Sequence, residues 1–430
     1  MKWLRLPVVA LAAFAACGSS DSNGGTGADA GPAPVNCVGT QPYDKAWTAD
    51  PNMCVYVFAS GLTRPRQMAF APNGDLFVSA GNVTVLWDAN KNGAIDGNSE
   101  KSTFATASGL NHGLAFSPDY RFIYASSDTT IYRWPYTAGA RAASAPVEVA
   151  VKGMPGGGHD SRTLVFDSKG RLYVNVGSSD NVEDDAALAT RSQIRRFTIP
   201  GPIPSGGIDY GTGEIVARGM RNEVGLFIDS QDHLWGVENG RDDLTDPAHG
   251  GNVHDDNPGE EINFIDGQGQ KFYGYPNCYS EFKMPMGGKG PGTQWADTTL
   301  TDKSHIQTDA WCQSIANVHP PAAVMQAHGA PLGIIQYTGH SLPLRDDLVI
   351  ASHGSWDRQP AVGRLIVRAR LRNGAVVSVD PIAGEKGGAN GPLQGTWEAR
   401  PVDVRQGPDQ ALYFSDDQGG RVYKVGYRIQ

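Results

Sequence analysis

A glycine-rich segment that ends in a histidine and an arginine is the first candidate for chemistry in this sequence. Residues 156–162 read GGGHDSR and lead directly into the strand-like residues 163–166. Three glycines let a backbone approach a ligand closely, because no Cβ stands in the way. His159 can act as a base near neutral pH, and Arg162 can hold carboxylate or phosphate oxygens in a fork. Taken alone, the segment is equally typical of a glycine-rich turn with a surface histidine.

The elements that must position this segment form a repeat. Each copy has a short apolar strand, a turn and a second strand. The copies begin at Met68, Leu114, Leu164, Leu226, Leu332 and Val402. Most are about 45 to 60 residues apart, as in four-stranded propeller blades, and the interval from the fourth to the fifth is about twice as long. We therefore predict an all-β, six-bladed β-propeller with an insertion-rich region between the fourth and fifth blades, at residues 241–320.

Polar and cationic residues precede the first strand of every copy. In a propeller this strand is innermost, so residues two to five positions before it converge on the central channel. They are Arg64 and Arg66, Asn111 and His112, His159 and Arg162, Arg221 and Asn222, His328, and Arg400. The set predicts an electropositive pocket that binds an anion. The alternative for some of these arginines is ion pairing between blades, which would lock the ring.

Composition excludes one class of partner and indicates disulfides. A formal charge of −9 over 430 residues argues against nucleic-acid binding, which needs a basic face. Cys37, Cys54, Cys278 and Cys312 allow three pairings, of which sequence proximity favours Cys37–Cys54 and Cys278–Cys312. The absence of CxxC and CxxCH motifs predicts no haem attachment and no thiolate metal site.

The N-terminus has the pattern of a lipoprotein signal peptide. Lys2 and Arg5 are its positive end, residues 6–16 are apolar, and residues 14–17 resemble a lipobox ending in Cys17. The alternative is a secretory signal cut near Ala16. We predict a signal peptide at 1–17 with lipidated Cys17, a flexible tether at 18–36 and a propeller domain at 37–430. Membrane contact would be through the lipid alone, in the outer membrane facing the periplasm or at the cell surface.

Two stretches carry enough oxygen ligands for Ca²⁺. The first follows Gly240 and contains Asp242, Asp243, Asp246, Asp255, Asp256, Glu260 and Glu261. Such loops in acidic proteins are often simply solvated. The second places Asp88, Asn90, Asn92 and Asp96 at positions one, three, five and nine of an EF-hand-type loop, with Ser99 at the position of the usual glutamate. It predicts a structural ion, and the alternative is an ordinary Asn-Gly turn.

From about Val55 onward the chain resembles the quinoprotein sugar dehydrogenases, and the sorbosone dehydrogenase branch in particular. The matching stretches are residues 111–116, 159–166, 172–179, 217–222, 257–263, 273–276, 328–333, 353–358 and 400–403. The resemblance implies a six-bladed propeller that binds pyrroloquinoline quinone (PQQ) through Ca²⁺ and oxidises an aldose or a sugar aldehyde such as sorbosone or glucose. Because no cytochrome domain is fused, it also implies a separate electron acceptor, a cytochrome or a quinone.

The same resemblance assigns roles to individual residues. His159 is the general base, and Arg221 faces the quinone oxygen that gains charge. Asn222 lies beside Arg221, Arg400 and Arg358 hold the cofactor carboxylates, and the carbonyls of Gly240 and Arg241 bind Ca²⁺. The positions before the inner strands add Arg66, Asn111, His112, Arg162 and His328 to the cofactor-binding set, and the acidic stretch adds Glu260 and Glu261 to the Ca²⁺ set. The chain departs from the glucose dehydrogenase pattern at Gly158 and Ser178, where that branch has aspartates, and at Val402, where it has a second cofactor arginine.

Two other functions are compatible with a propeller. A metal-dependent lactonase or other hydrolase would need a catalytic Ca²⁺ or Zn²⁺ on the axis, held by carboxylate and Asn ligands, whereas the residues before the strands are mainly Arg and His. A non-catalytic propeller would bind a sugar or a protein on its insertions. Addition of PQQ and Ca²⁺ to the apoprotein, followed by dye-reduction and esterase assays, distinguishes the three.

Overall fold

Six sheets of four or five strands form the propeller, and this confirms the predicted fold class. The computed structural model describes residues 37–183, 188–267, 270–387 and 395–428. The predicted signal peptide with Cys17 and the tether at 18–36 lie outside the described residues. In the described part of the chain, no helix has the length and apolar character needed to cross a membrane.

The blades follow one another along the chain, each starting with its innermost strand. Blade 1 contains Met68–Phe70, Leu76–Ser79, Val83–Leu86 and Lys101–Ala105. Blade 2 contains Leu114–Phe116, Phe122–Ser126, Thr130–Pro135, Glu148–Lys152 and Ile208–Asp209. Blade 3 contains Leu164–Phe166, Arg171–Val176, Gln193–Thr198, Glu214–Arg218 and Lys271–Phe272.

The other three blades contain the insertion and the ring closure. Blade 4 contains Glu223–Ile228, Leu234–Glu238, Glu260–Ile265 and Ala323–Met325. Blade 5 contains Pro331–Gln336, Leu348–Ser352, Leu365–Arg372, Ala375–Glu385 and Ala46–Thr48. Blade 6 contains Pro401–Gln406, Leu412–Asp416, Arg421–Tyr427 and Met53–Ala59.

The ring is closed by a strand from the beginning of the propeller domain. Met53–Ala59 pairs antiparallel with Arg421–Tyr427 and becomes the outer strand of blade 6. Ala46–Thr48 similarly extends blade 5 by pairing with Ala375–Glu385. A Cys37–Cys54 disulfide ties the preceding segment to the closing strand. This pairing and the Cys278–Cys312 disulfide confirm the predicted connectivity.

Aromatic side chains fill the spaces between neighbouring blades. Phe77 of blade 1 meets Phe116 of blade 2 edge-on, with 5.1 Å between ring centroids. Trp397 and Phe414 lie 5.6 Å apart between blades 5 and 6. Such rings bury a large apolar area and gain further from edge-on contact. The alternation of apolar residues along each short strand is what places these rings between the sheets.

The insertion lies inside blade 4, in two parts, which refines the predicted position: one part separates the second strand from the third, and the other separates the third strand from the outermost one. It contains the hairpins Thr245–Asp246 with Gly251–Asn252 and Cys278–Ser280 with Gln294–Ala296. It also contains the 3₁₀ turns His254–Asp256 and Lys303–His305 and the short α-helix Asp309–Cys312. Two further 3₁₀ turns are present. Gly97–Glu100 lies in blade 1, and Tyr210–Thr212 connects the last strand of blade 2 to a strand of blade 3.

Candidate active site

A cavity of about 170 Å³ lies where blades 3, 4 and 5 present the same ends of their inner strands. In an antiparallel blade, the segment before the first strand and the segment after the second strand leave at the same end. Both kinds of segment line the cavity. Its residues are His159, Arg221, Asn222, Asn239, Gly240, Asp242, Glu260, His328, Ala330, Ser355, Trp356 and Asp357. The structure therefore brings six of the predicted site residues together: His159, Arg221, Asn222, Gly240, Glu260 and His328.

His159 is held in one orientation and one tautomer by Ser178. The imidazole Nδ1 lies 2.9 Å from Ser178 Oγ and 3.0 Å from its carbonyl oxygen. Ser178 Oγ donates its own proton to the Asp180 carbonyl at 2.7 Å, so it accepts from Nδ1. Nδ1 therefore carries the proton and Nε2 keeps its lone pair. Burial, and then the positive charge of Arg221, lower the pKa of His159 from 6.5 to about 4.

Arg162 braces the histidine loop instead of offering a fork to a ligand. Its side chain is fully buried, and its guanidinium donates to the carbonyls of Pro155 at 2.7 Å, Asp128 at 3.0 Å and His159 at 2.6 Å. These backbone acceptors use the donors that were predicted to bind cofactor. Arg191, which the sequence did not indicate, holds the same loop through the Gly157 carbonyl at 3.2 Å.

Arg221 lies on the cavity wall with its guanidinium fixed from several sides. It donates to the Gly240 carbonyl at 2.6 Å and to Asn181 Oδ1 at 3.1 Å, and it forms a 3.0 Å ion pair with Asp242. Desolvated and oriented in this way, the group is suited to stabilise negative charge that develops in the cavity.

Close packing between His159 and Asn222 depends on Gly177. A Cβ added to Gly177 would stand 2.8 Å from both Asn222 Oδ1 and His159 Cβ. Asn222 Oδ1 is buried and has no hydrogen-bond partner within the described structure. It is therefore an acceptor available to a bound group.

Two carboxylates, Glu260 and Asp242, also line the cavity. Glu260 accepts from the backbone N–H groups of Gly240 at 2.8 Å and Ala330 at 3.0 Å, and burial raises its pKa to about 7. Burial also raises the pKa of Asp242, against the effect of Arg221. Oxygen ligands of this kind suit a hard divalent cation.

The other two residues of the predicted Ca²⁺ set do not line the cavity. The side chain of Arg241 forms an ion pair with Asp297. Glu261 lies in a separate buried cluster, where it accepts from Ser280 Oγ at 2.5 Å and from Asn263 Nδ2 at 3.2 Å.

Two histidines surround Asp357 at the edge of the cavity. His328 donates through Nε2 to the His254 carbonyl at 2.6 Å, and its Nδ1 lies 3.9 Å from Asp357 Oδ1. His254, His328 and Asp357 are the one group of His, Cys, Asp or Glu side chains in the described chain with ligand atoms close enough to share a metal. However, His254 Nδ1 accepts the Asp243 N–H at 3.0 Å, so in the neutral ring the proton is on the Nε2 that faces Asp357. In this tautomer His254 Nε2 has no lone pair to offer a metal, and both Asp357 oxygens are buried without a hydrogen-bond partner in the described structure.

Several predicted cofactor ligands are already paired across the channel axis. Arg66 forms a 2.7 Å ion pair with Asp417 and donates to His112 Nδ1 at 3.1 Å. Asp417 Oδ1 also lies 2.9 Å from His353 Nε2. His112 Nε2 forms a hydrogen bond of 3.0 Å with Thr163 Oγ1. The residues before the inner strands therefore converge on the channel, and for Arg66 the ion-pair alternative applies. His112 is buried, which keeps its pKa well below the usual value.

Asn111, Arg358 and Arg400 also contact protein loops. Asn111 donates to the Asp160 carbonyl at 3.0 Å. Arg358 forms a 2.9 Å ion pair with Asp256, and Arg400 donates to the carbonyls of His353 and Gly354 at 3.1 and 2.8 Å. Arg64 is exposed.

The EF-hand-like loop of blade 1 closes on itself. Asp88 accepts the Gly93 N–H at 2.8 Å, and the amides of Asn90 and Asn92 donate to Asp96 at 2.7 and 3.0 Å. The buried Glu100, one position beyond Ser99, accepts the N–H groups of Ala89 and Asp96 at 2.9 and 2.7 Å. An ion at this loop stays a prediction.

Asp242 was predicted as one of the acidic residues after Gly240, and five other lining residues had no predicted role: Asn239, Ala330, Ser355, Trp356 and Asp357. Apart from Ala330, they follow the second strand of blade 4 or blade 5. The segment after each second strand leaves the blade at the same end as the segment before the first strand. The argument that places the residues before each first strand at the channel therefore also applies to the residues after each second strand.

Comparison with known proteins identifies the family. The TrAA12-like family matches residues 47–428. The chain belongs to the TrAA12-like family. The TrAA12-like chain is 30% identical over 405 residues to the pyrroloquinoline quinone-dependent sugar dehydrogenase of Hypocrea jecorina, with 85% of this chain and 86% of that protein covered. It is 30% identical over 319 residues to the pyrroloquinoline quinone-dependent pyranose dehydrogenase of Coprinopsis cinerea, covering 71% of this chain but only 42% of that protein.

Solved structures agree with this assignment. The holo form of the pyranose dehydrogenase PQQ domain from Coprinopsis cinerea has a TM-score of 0.78 at 26% identity, covering 91% of this TrAA12-like chain and 99% of that domain. The calcium structure of Trichoderma reesei Carbohydrate-Active Enzymes Family AA12 has a TM-score of 0.77 at 29% identity, covering 91% and 98%. The predicted resemblance to the quinoprotein sugar dehydrogenases is confirmed, and the sorbosone dehydrogenase branch stays a prediction.

Proposed function

We propose that this protein is a PQQ-dependent sugar dehydrogenase in which His159 is the general base. The observation that supports the proposal most directly is the unprotonated Nε2 of His159, next to Arg221 in a polar cavity. The substrate is an aldose or a related sugar aldehyde, of the sorbosone or glucose type.

The residues of the cavity fit a planar quinone tricarboxylate held through Ca²⁺. Gly240 and Glu260, which line the cavity, offer oxygen atoms, and Arg241 follows Gly240 in the chain with a further carbonyl. Arg221 supplies positive charge, and the unpartnered Asn222 Oδ1 supplies a further acceptor. In this arrangement Gly240, Arg241 and Glu260 would hold Ca²⁺, while Arg221, Asn222 and His328 would contact the quinone.

Each residue of the chain then has a defined task. PQQ bound in the cavity would supply the hydride acceptor for the oxidation of the sugar carbon. His159 Nε2 takes the proton of the hydroxyl on that carbon, a contribution of about 10²–10⁴-fold in rate. Ser178 keeps the other imidazole proton on Nδ1. Arg221 would stabilise the negative charge that develops on the quinone oxygen it faces, and such stabilisation is worth about 3–4 kcal/mol in comparable sites.

Reconstitution with PQQ and Ca²⁺ tests the proposal. The wild-type protein is expected to reduce a dye with aldoses only when both are added. His159→Asn should keep its affinity for PQQ, measured by titration, and should lose about 10²–10⁴-fold in turnover. His233→Asn is the matched control, because His233 pairs with Asp229 and does not line the cavity. Full activity in His159→Asn, or ester cleavage without PQQ, would contradict the proposal.

We also propose export with a lipid on Cys17, and electron transfer to a separate cytochrome or quinone. Export is supported by the two disulfides, which persist in oxidising compartments. Metabolic labelling with a radioactive fatty acid should mark the wild-type protein and leave Cys17→Ser unlabelled. Equal labelling of the two would contradict lipidation at this residue.

A further inference from the structure

Trp356 combines high exposure with a place at the cavity. Trp356 is 77% exposed, and every other tryptophan that the structure describes is at least partly buried. It nevertheless contributes to the cavity lining beside Ser355 and Asp357. An indole left in water forgoes a large hydrophobic gain, so its exposure at the entrance of a ligand cavity points to contact with a ligand.

The segment that carries Trp356 is cross-linked on both sides. Ser355 exchanges hydrogen bonds with Val362, from its N–H to the Val362 carbonyl at 3.0 Å and from the Val362 N–H to Ser355 Oγ at 3.0 Å. On the other side, Arg358 is paired with Asp256 at 2.9 Å. The indole therefore stands on a fixed base, and little backbone freedom is lost when a ligand packs against it.

The remaining lining is polar apart from the small side chain of Ala330. The described lining residues offer an imidazole, a guanidinium, amides and carboxylates, all suited to hydroxyl groups or to an anion. A pyranose ring also presents C–H groups on its faces, and these have no apolar partner there except Trp356. Aromatic faces carry negative charge density and attract such partly positive C–H groups.

We propose that Trp356 is the stacking platform for the sugar ring, so that the enzyme prefers ring-closed pyranoses with an apolar face over short open-chain aldehydes. This inference rests on the proposed function and specifies its substrate class. Trp356 does not take part in proton or hydride transfer, so its loss is expected to act on KM and not on kcat.

The test compares holoprotein variants loaded with PQQ and Ca²⁺. Trp356→Ala is expected to raise KM for a pyranose aldose about tenfold, with kcat and KM for glyceraldehyde within about twofold. Trp356→Phe should keep most of the affinity. Ile315→Ala is the matched control, because Ile315 is 74% exposed and apolar but does not line the cavity. An unchanged KM of Trp356→Ala for the pyranose would overturn the proposal. A loss of PQQ affinity in Trp356→Ala would also overturn it, because the indole would then stack on the cofactor.

A binding measurement without turnover separates this inference from the proposed function. A 1-deoxy sugar has no anomeric hydroxyl to oxidise, and its ring protons should receive saturation transfer from wild-type protein and lose it with Trp356→Ala. If wild-type protein oxidises sugars but saturation transfer is the same in both proteins, only the platform is refuted. If it oxidises no sugar, the proposed function fails, and Trp356-dependent binding of the 1-deoxy sugar would still support the platform.

Discussion

The acid limb of the pH profile is the sharpest consequence of the structure around His159. Burial and Arg221 shift its pKa from 6.5 to about 4, which corresponds to about 3 kcal/mol against the charged form. Only the neutral ring can accept the hydroxyl proton, so activity is lost as pH falls through this pKa. With Ca²⁺ in excess, so that Glu260 stays ionised, we expect kcat/KM to stay level from about pH 7 to about pH 5 and to fall tenfold per pH unit below about 4.

A carboxylate in place of the Ser178 hydroxyl should move this limb. Ser178→Asp would place a negative charge next to Nδ1–H, and an opposite charge at this range raises an imidazole pKa by about 1–3 units. The acid limb should then lie between about pH 5 and 7. Ser178→Ala is the control: its backbone carbonyl still accepts from Nδ1 at 3.0 Å, so the limb should stay near 4 while kcat falls about 2–10-fold.

Dye reduction by holoprotein across pH 3.5–9, with tryptophan fluorescence to check that the protein stays folded, measures both limbs. A wild-type limb at or above pH 6.5 would show that the buried imidazole is not the titrating base. A Ser178→Asp limb that coincides with the wild-type limb would refute the coupling through Nδ1.

Three further perturbations test other parts of the site and the fold. Gly177→Ala should force His159 and Asn222 apart, since the new Cβ would lie 2.8 Å from each, and lower kcat about 10–100-fold in dye reduction. Arg162→Lys should lower kcat about tenfold or more, because His159 would be misplaced. The dissociation constant of PQQ should stay within about threefold, since the Arg162 guanidinium contacts only backbone carbonyls. A selective loss of PQQ affinity would contradict this. Cys278→Ala with Cys312→Ala should lower the free energy of unfolding by about 3–4 kcal/mol, since the disulfide closes a 34-residue separation, and an unchanged Tm would contradict it.

The propeller and the direction of its channel could be predicted because each blade repeats a local pattern. Short alternating strands and turns recur in each copy, and the residues before the inner strands, such as Arg66, His159 and Arg221, do converge. Which of these residues are available to bind an anion could not be predicted in the same way. Whether an arginine binds a ligand depends on its neighbours in space, and the partner of Arg66 is Asp417, 351 residues away in the chain.

The partners of Arg162 show a second limit of sequence patterns. They are backbone carbonyls of its own loop and of Asp128, and a backbone acceptor leaves no mark in the sequence. Trp356 and Asp357 were missed for a different reason. They follow the second strand of blade 5, whereas the repeat pattern points only to the residues before each first strand.

The closing strand Met53–Ala59 also determines when the molecule can fold. It is synthesised before every blade, yet its partner Arg421–Tyr427 is the last strand of the described chain. Contacts between such distant segments form slowly, because the loop entropy is lost before any pairing energy is gained. We therefore expect blades to collapse in order as the polypeptide emerges, with the early strand left as an unpaired edge until the end. Chains released prematurely would expose that edge and aggregate, so survival of this protein depends on complete translation more than on the stability of any one blade.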